Sequence, residues 1–307
     1  MMRGGEGLTF VAQAVRMAVP YACAALGGVW SERSGVVNIA LEGMLLAGGL
    51  AAVVAQHATG SAWVGVLSAC TVAAAMGLAH AATFVFGRVD AIVSGIALNL
   101  VAAGGTRFVL RALYDSSSNS PAVEGFRAAS FEGGGDWAIL ARTLIDPATL
   151  FTIALALATA WALRKTPFGL RVRASGEDPE AVRATGVDVR RVRLLAVAIG
   201  AGICGLGGAA LAFDQHQFQA GMSGGRGFIA LAAVIVSGWR PLRAMTACVA
   251  FAALDALQIA VQDRAGQLRD LVQMLPYVAT LVMMAWIASR RGASGEGAPP
   301  AGLGKHA

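Results

Sequence analysis

The sequence is short of charge. Only 14% of its 307 residues are Asp, Glu, Lys or Arg, against 56% hydrophobic residues and a mean hydropathy of +0.63, whereas soluble domains carry about 25% charged residues. Too little polar surface remains to cover a water-soluble globule of this length. Lysine is scarcer still: Lys165 follows Arg164 and precedes Thr166, and Lys305 lies between Gly304 and His306. Neither fits the G-x-x-x-x-G-K-[ST] loop that cradles nucleotide phosphates.

Cysteine and histidine are few and scattered. Cys23, Cys70, Cys204 and Cys248 stand singly inside apolar runs with no C-x-x-C spacing, which suits small packing side chains rather than a redox or metal motif. His57, His80, His216 and His306 form no H-x-x-x-H pair, so no metal site, histidine base or other catalytic residue is expected, and the chain does not read as an enzyme. Aromatic residues make up 7%, and the net charge of +6 is concentrated in one loop between apolar runs. That distribution fits the positive-inside bias of membrane proteins and argues against a nucleic-acid surface.

What the sequence has in abundance is apolar runs of roughly 20 residues, the length a helix needs to cross hydrocarbon. They fall at 8–28, 35–55, 61–86, 89–112, 146–164, 191–213, 228–239, 241–262 and 268–288. The expected fold is an all-α, polytopic transmembrane bundle of about 8–10 spans in a lipid bilayer. Met1-Met2-Arg3 leads into a stretch too long for a signal-peptide core, and Pro20-Tyr21-Ala22-Cys23 is a poor lipoprotein box, so the N-terminus reads as retained.

Two runs are interrupted. Gly35 to Gly49 carries Asn38 and Glu42 among apolar residues, and Gly225 to Gly238 is short and ends at Trp239-Arg240-Pro241. Such segments mark broken or re-entrant helices, whose irregular backbone survives only in a protein-lined environment. In both, a glycine (Gly35, Gly225) precedes an Ile-Ala-Leu triplet by four positions, and another (Gly48, Gly238) follows nine after the Ile. Two related halves would show this pattern, but the triplet also occurs at 96–98 and 153–155, as an Ala-rich chain gives by chance.

Between Arg164 and Arg193 lie Arg164, Lys165, Arg171, Arg173, Arg183, Arg190, Arg191 and Arg193, whereas Leu113 to Asp146 holds only Arg127 and Arg142. The loop 164–193 is therefore expected in the cytoplasm and 113–146 outside, with Arg240, Arg243 and Arg290-Arg291 on the cytoplasmic side. The side of the N-terminus stays open. Residues 1–288 form a single transmembrane domain, and 289–307, rich in Gly, Pro and Ala, read as a disordered cytoplasmic tail.

Within the basic loop, Asp178 is a helix N-cap, Pro179 suits the first helical position, Glu180 complements the positive helix end, and Gly186 supplies a left-handed stop. The resulting helix is about two turns long, too short to be stable alone. It needs a partner, either a groove on another protein or the ends of its own bundle. The candidate docking residues are Glu177, Asp178, Pro179, Glu180, Ala181, Val182, Arg183 and Gly186, with Ala184 and Thr185 beside them.

This loop resembles the cytoplasmic coupling loop of permease subunits in bacterial ABC importers, the family that includes branched-chain amino acid, ribose-type sugar and nucleoside permeases. The family pattern, approximately G-x-R-x-R-A-x-G-E-x-P-x-A-A-x-x-x-G, is met by Gly169, Arg171, Arg173, Ala174, Gly176, Glu177, Pro179, Ala181 and Gly186, with Val182 where Ala is common. Glu32-Arg33 followed by Gly35-Val-Val-Asn-Ile-Ala-Leu-Glu-Gly43 is similar to the nucleoside and simple-sugar branch, and Gly225-x-Gly227-Phe-Ile-Ala-Leu-Ala-Ala233 with Trp239 and Pro241 matches a late segment of the family. The resemblance implies a permease in the bacterial cytoplasmic (inner) membrane, with its C-terminus in the cytoplasm. It implies four partners: a separate ATPase subunit that uses the ATP, so that this chain needs no cofactor; a second permease, a heterodimer being favoured; an external solute-binding lipoprotein; and a small polar solute. A nucleoside is the first choice, with simple sugars or branched-chain amino acids as alternatives. An ion-coupled secondary carrier is the reading from another class.

Polar groups inside spans are expensive and default to pathway or helix-contact roles. Asn38, Glu42, Asn99, Asp255 and Gln258 are the candidate pathway residues, with interhelical hydrogen bonding as the plainer reading. Arg16 and Arg107 are expected to snorkel towards headgroups.

Overall fold

The computed structural model describes residues 4–126, 136–262, 269–290 and 298–305. The elements are α1 (Gly4–Arg33), α2 (Leu41–Thr59), α3 (Ala62–Val85), α4 (Ala91–Tyr114), α5 (Asp136–Ile145), α6 (Pro147–Lys165), α7 (Pro167–Glu177), α8 (Pro179–Ala184), α9 (Val189–Asp214), α10 (Arg226–Val236), α11 (Pro241–Gln262), α12 (Arg269–Gln273) and α13 (Leu275–Arg290). No strand occurs among the described residues. Seven helices, α1 to α4, α6, α9 and α11, are long and apolar enough to cross a membrane, and α10 and α13 are shorter apolar helices. The protein is a polytopic all-α bundle, as expected.

Aspartates start several of these helices because their carboxylates accept the free amides of the first turn. Asp90 caps α4, Asp146 caps α6 and Asp188 caps α9, each accepting from two backbone amides. Two helices depart from the expected loops. α5 lies within 113–146, and α7 begins the basic loop, with the Thr166 hydroxyl accepting from Gly169 N and Pro167 at the first position.

α1 and α9 cross antiparallel at the centre. Gly27 faces Gly200 so closely that a Cβ on either would overlap the other's carbonyl oxygen, and Gly207 packs on Cys23 and Pro20. Such approaches give lipid-embedded helices their contact area. At one end Arg16, expected to snorkel, instead pairs with Asp214. At the other, Arg33 and Arg193 sit together beside α7, and we call this the arginine-rich end.

The other helices pack around this crossing. α1 packs on α9, α11 and α10, and α9 packs on α3, α1 and α2; α2 also packs on α3 and α4, α10 on α11 and α13, and α6 on α1 and α11. Two helices, α2 and the shorter α10, start partway along the bundle. α2 begins near mid-height, where Leu41 O accepts from Cys204 Sγ at 3.3 Å, and runs away from the arginine-rich end. α10 runs towards it, and the carbonyls of Gly238 and Trp239 in the turn that follows α10 accept from Arg33. The two Ile-Ala-Leu patterns do not occupy matching places: Gly35 follows α1 at φ +95°, whereas Gly225 caps the start of α10 at φ +84°.

The tail departs from expectation. Ser289 and Arg290 end α13, and residues 298–305, expected to be disordered, form turns against the arginine-rich end. Glycine and proline make such a segment read as unstructured, yet its amides find acceptors on the bundle. Arg127, Arg291, the rest of 291–297 and His306 lie outside the described residues.

Candidate functional site

The starts of the two short helices meet. Residues 34–40 pass without helix from the end of α1 to mid-height, held from inside: Asn38 Oδ1 accepts from Ala40 N at 3.1 Å, and Asn38 Nδ2 donates to Ser31 Oγ at 3.0 Å. Asn99 of α4 closes the same break from outside, its Oδ1 accepting from Gly43 N at 2.8 Å and its Nδ2 donating to Ile39 O at 3.0 Å. Both asparagines supply the donors and acceptors that an interrupted helix lacks.

Glu42, in the first turn of α2, reaches the start of α10. Its Oε1 accepts from Ser223 Oγ at 2.5 Å and from Gly225 N at 2.8 Å, and its Oε2 accepts from Gly227 N at 2.8 Å. A carboxylate facing the positive end of a helix and taking charge-assisted hydrogen bonds is a strong link. The stretch leading down to α10 is held by a short antiparallel contact with 118–123, where Ser120 N donates to Phe218 O at 2.9 Å and Ala220 N to Ser118 O at 2.7 Å. Ser223 lies in a Gly221-Met-Ser-Gly-Gly225 run that has the spacing of a nucleophile elbow, but its hydroxyl donates to Glu42.

Of the other candidate pathway residues, Asp255 accepts from Tyr21 Oη at 2.5 Å, and Gln258 lies half-buried one turn along α11. Arg226 rests over the Tyr21 ring, 5.8 Å from its centroid. The structure thus brings Asn38, Glu42 and Asn99 together at the break before α2, and ties Asp255 to Tyr21, whose ring carries Arg226 at the start of α10. A cavity of about 760 Å³ lies towards the opposite end, lined among others by Gln13, Arg16, Asp146, Asp214, His216 and Arg226. None of the five pathway candidates lines it.

At the arginine-rich end the short helix forms with the anticipated start. Asp178 accepts from Glu180 N at 3.1 Å and Ala181 N at 3.0 Å, and Gly186 takes φ +81°. Glu177, Asp178, Glu180, Ala181, Arg183 and Gly186 are exposed, whereas Pro179 and Val182 turn inward. Both readings of the helix therefore have a face: one apolar edge on its own bundle and one polar edge free.

Sequence reasoning missed what binds this end to the turn that follows α10. Trp239 Nε1 donates to the buried Glu32 carboxylate, and Arg33 donates to Trp239 O at 3.1 Å and Gly238 O at 3.3 Å while lying 3.8 Å from Glu177. The signal was present, since Glu32-Arg33 and Trp239 belong to the two motifs quoted above, but nothing in the spacing said that they touch.

The model of the permease component of branched-chain amino acid transport systems matches residues 10–284. The chain is 33% identical over 287 residues to the guanosine ABC transporter permease protein NupQ of Bacillus subtilis, covering 89% of this chain and 90% of that protein. It is 30% identical over 297 residues to the nucleoside ABC transporter permease protein NupC of Lactococcus lactis, covering 90% of each. It is also 25% identical over 291 residues to the glucose ABC transporter permease protein TsgB13 of Haloferax volcanii, covering 87% of this chain and 74% of that protein. With the motifs in order along a multi-pass bundle and the family model spanning nearly its whole length, this chain belongs to the permease family of ABC transport systems typified by the branched-chain amino acid permease component.

Proposed function

We propose that this chain forms the translocation pathway of an ATP-driven importer for nucleosides, beside a second and different permease chain. The observation that supports it most is the meeting of the starts of α2 and α10 at Glu42 near mid-height, the kind of helix interruption by which transporters place polar groups where a solute crosses. The solute is argued from the relatives, whose names specify guanosine and nucleosides. A simple-sugar cargo is the second reading, favoured by the glucose permease relative.

In this reading the arginine-rich end faces the cytoplasm of a bacterium, with the chain in the inner membrane and its C-terminus inside. The exposed edge of α8 receives a separate ATPase subunit, which uses the ATP; an external solute-binding lipoprotein delivers cargo at the opposite end. Closure of the ATPase then moves the bundle between inward- and outward-facing states. The test is reconstitution of the chain with its genetic neighbours in proteoliposomes, measuring ATPase activity stimulated by the loaded binding protein for guanosine, glucose and leucine in turn. Stimulation and uptake with guanosine support the proposal. Uptake that persists without any ATPase subunit overturns it in favour of an ion-coupled carrier.

A further inference from the structure

One buried charge is used by none of the above. Arg193, in the first turns of α9, is 1% exposed, and its guanidinium lies 5.6 Å from the centre of the Phe84 ring. A buried guanidinium is costly unless its donors are satisfied. Here the described acceptors are all main-chain carbonyls, from three separate segments. Nε donates to Ser34 O at 3.1 Å at the elbow between α1 and α2, Nη2 to Ser175 O at 3.5 Å at the end of α7, and Nη1 to Lys305 O at 2.9 Å in the C-terminal segment.

The same segments touch each other directly. Gly302 N donates to Gly176 O at 2.8 Å, Gly304 N to Gly35 O at 2.9 Å, and Ala301 N to a Glu177 carboxylate oxygen at 3.2 Å. There is no room for side chains at the junction. A Cβ on Gly35 would come within 2.8 Å of Arg193 Nη2, and one on Gly302 within 2.8 Å of Gly176 O and 3.2 Å of Pro179 Cδ. Pro300 and Gly302 are buried, and Leu303 packs against the main apolar core.

We propose that Arg193, together with the C-terminal strap 298–305 that closes over it, is the positioning residue that carries motion of the ATPase-docking loop to the break in α2. The chain of contacts is continuous. The end of α7 leads directly into α8; Arg193 fastens that end to Ser34; and residues 34–40 lead to Ala40 and Glu42, whose carboxylate holds the start of α10. A planar guanidinium fits this task because its fixed fork of donors sets three carbonyls relative to one another, which a single ammonium does not. The strap supplies the third carbonyl and a lid of glycine backbone, so that the loop and the elbow move as one body.

The inference rests on the permease reading, and its test separates the two. The full transporter is reconstituted with its ATPase, and four quantities are measured: membrane insertion, ATPase subunit bound, ATP hydrolysed and solute taken up. Removing residues 298–307, or introducing Gly302→Leu, is expected to leave insertion and bound ATPase unchanged and hydrolysis within about twofold, while uptake per ATP falls at least about tenfold. Arg193→Gln is expected to do the same, and Arg193→Lys to fall between it and wild type. Unchanged uptake per ATP in the strap variants overturns the proposal. So does loss of hydrolysis and bound ATPase in step with uptake, which marks a docking role instead. If Arg193→Gln fails to insert, the strap variants decide alone. A wild-type complex without ATP-dependent uptake sinks the permease reading itself, and this inference with it.

Discussion

α2 and α10 start at similar depth but are held in opposite ways. The start of α2 is fixed by asparagines on either side of the break, Asn38 from its own elbow and Asn99 from its neighbour α4. The start of α10 has a glycine at its cap position with no side-chain capping bond, and borrows the Glu42 carboxylate from α2 instead. The start of α2 is therefore held without help from α10, by its own elbow and by α4, while α10 takes its cap from α2, so a displacement of α2 is expected to reach α10 more readily than the reverse.

Breaking the borrowed cap should have the largest effect. Glu42→Ala leaves two amides and a hydroxyl without their acceptor, at about 1–3 kcal/mol for each group that is buried and unsatisfied, and is expected to abolish uptake while the start of α2 stays protected in hydrogen exchange. Asn99→Ala comes next. It frees Gly43 N and Ile39 O, should lower the thermal midpoint of the purified chain, and should reduce uptake about tenfold, with exchange rising at both α2 and α10. If Asn99→Ala loosens α2 and leaves α10 protected, the one-way dependence is wrong.

Two smaller effects sharpen the comparison. Asp178→Gly with Pro179→Gly removes the cap and the preset first residue of α8 far from either break; membrane insertion and melting should hold, with uptake per ATP lower by about fivefold. Equal coupling to wild type in that variant counts against α8 as the docking element. Ser223→Ala removes one of the three donors to Glu42 and leaves both amides, so a loss of about 1 kcal/mol and a decrease in uptake of no more than about threefold are expected. A collapse as deep as that of Glu42→Ala would mean that the hydroxyl, not the helix end, is what Glu42 serves.

Much of the fold was legible because hydrophobic length and Asp-Pro starts are local signals: the nine expected apolar runs correspond to α1 to α4, α6, α9, α10, α11 and α13, and Asp178-Pro179 opens α8. α7 was hidden because Gly169, Arg171, Arg173 and Gly176 give it the composition of a loop, although it buries Gly169, Val172, Ser175 and Gly176 along one side. The strap was hidden for the same reason. At the candidate site the polar residues could be picked out singly, as Asn38, Glu42 and Asn99 were, but their partners could not. Glu42 meets Gly225, and Arg33 meets Trp239, across roughly two hundred residues, and Arg193 looked like one more positive charge in a basic loop. Pairings at that separation are made by the fold and leave no spacing to read.

The crossing of α1 and α9 has a mechanical consequence. At Gly27 and Gly200 the two helices touch on bare main chain, with Trp30 and Cys204 beside the glycines, so the closest point of the crossing has no rotamers to rearrange when the angle between the helices changes. A contact of that kind can serve as a bearing between polar ties at the two ends of the crossing, Arg16 with Asp214 at one and Arg33 with Glu177 and the Gly238–Trp239 turn at the other.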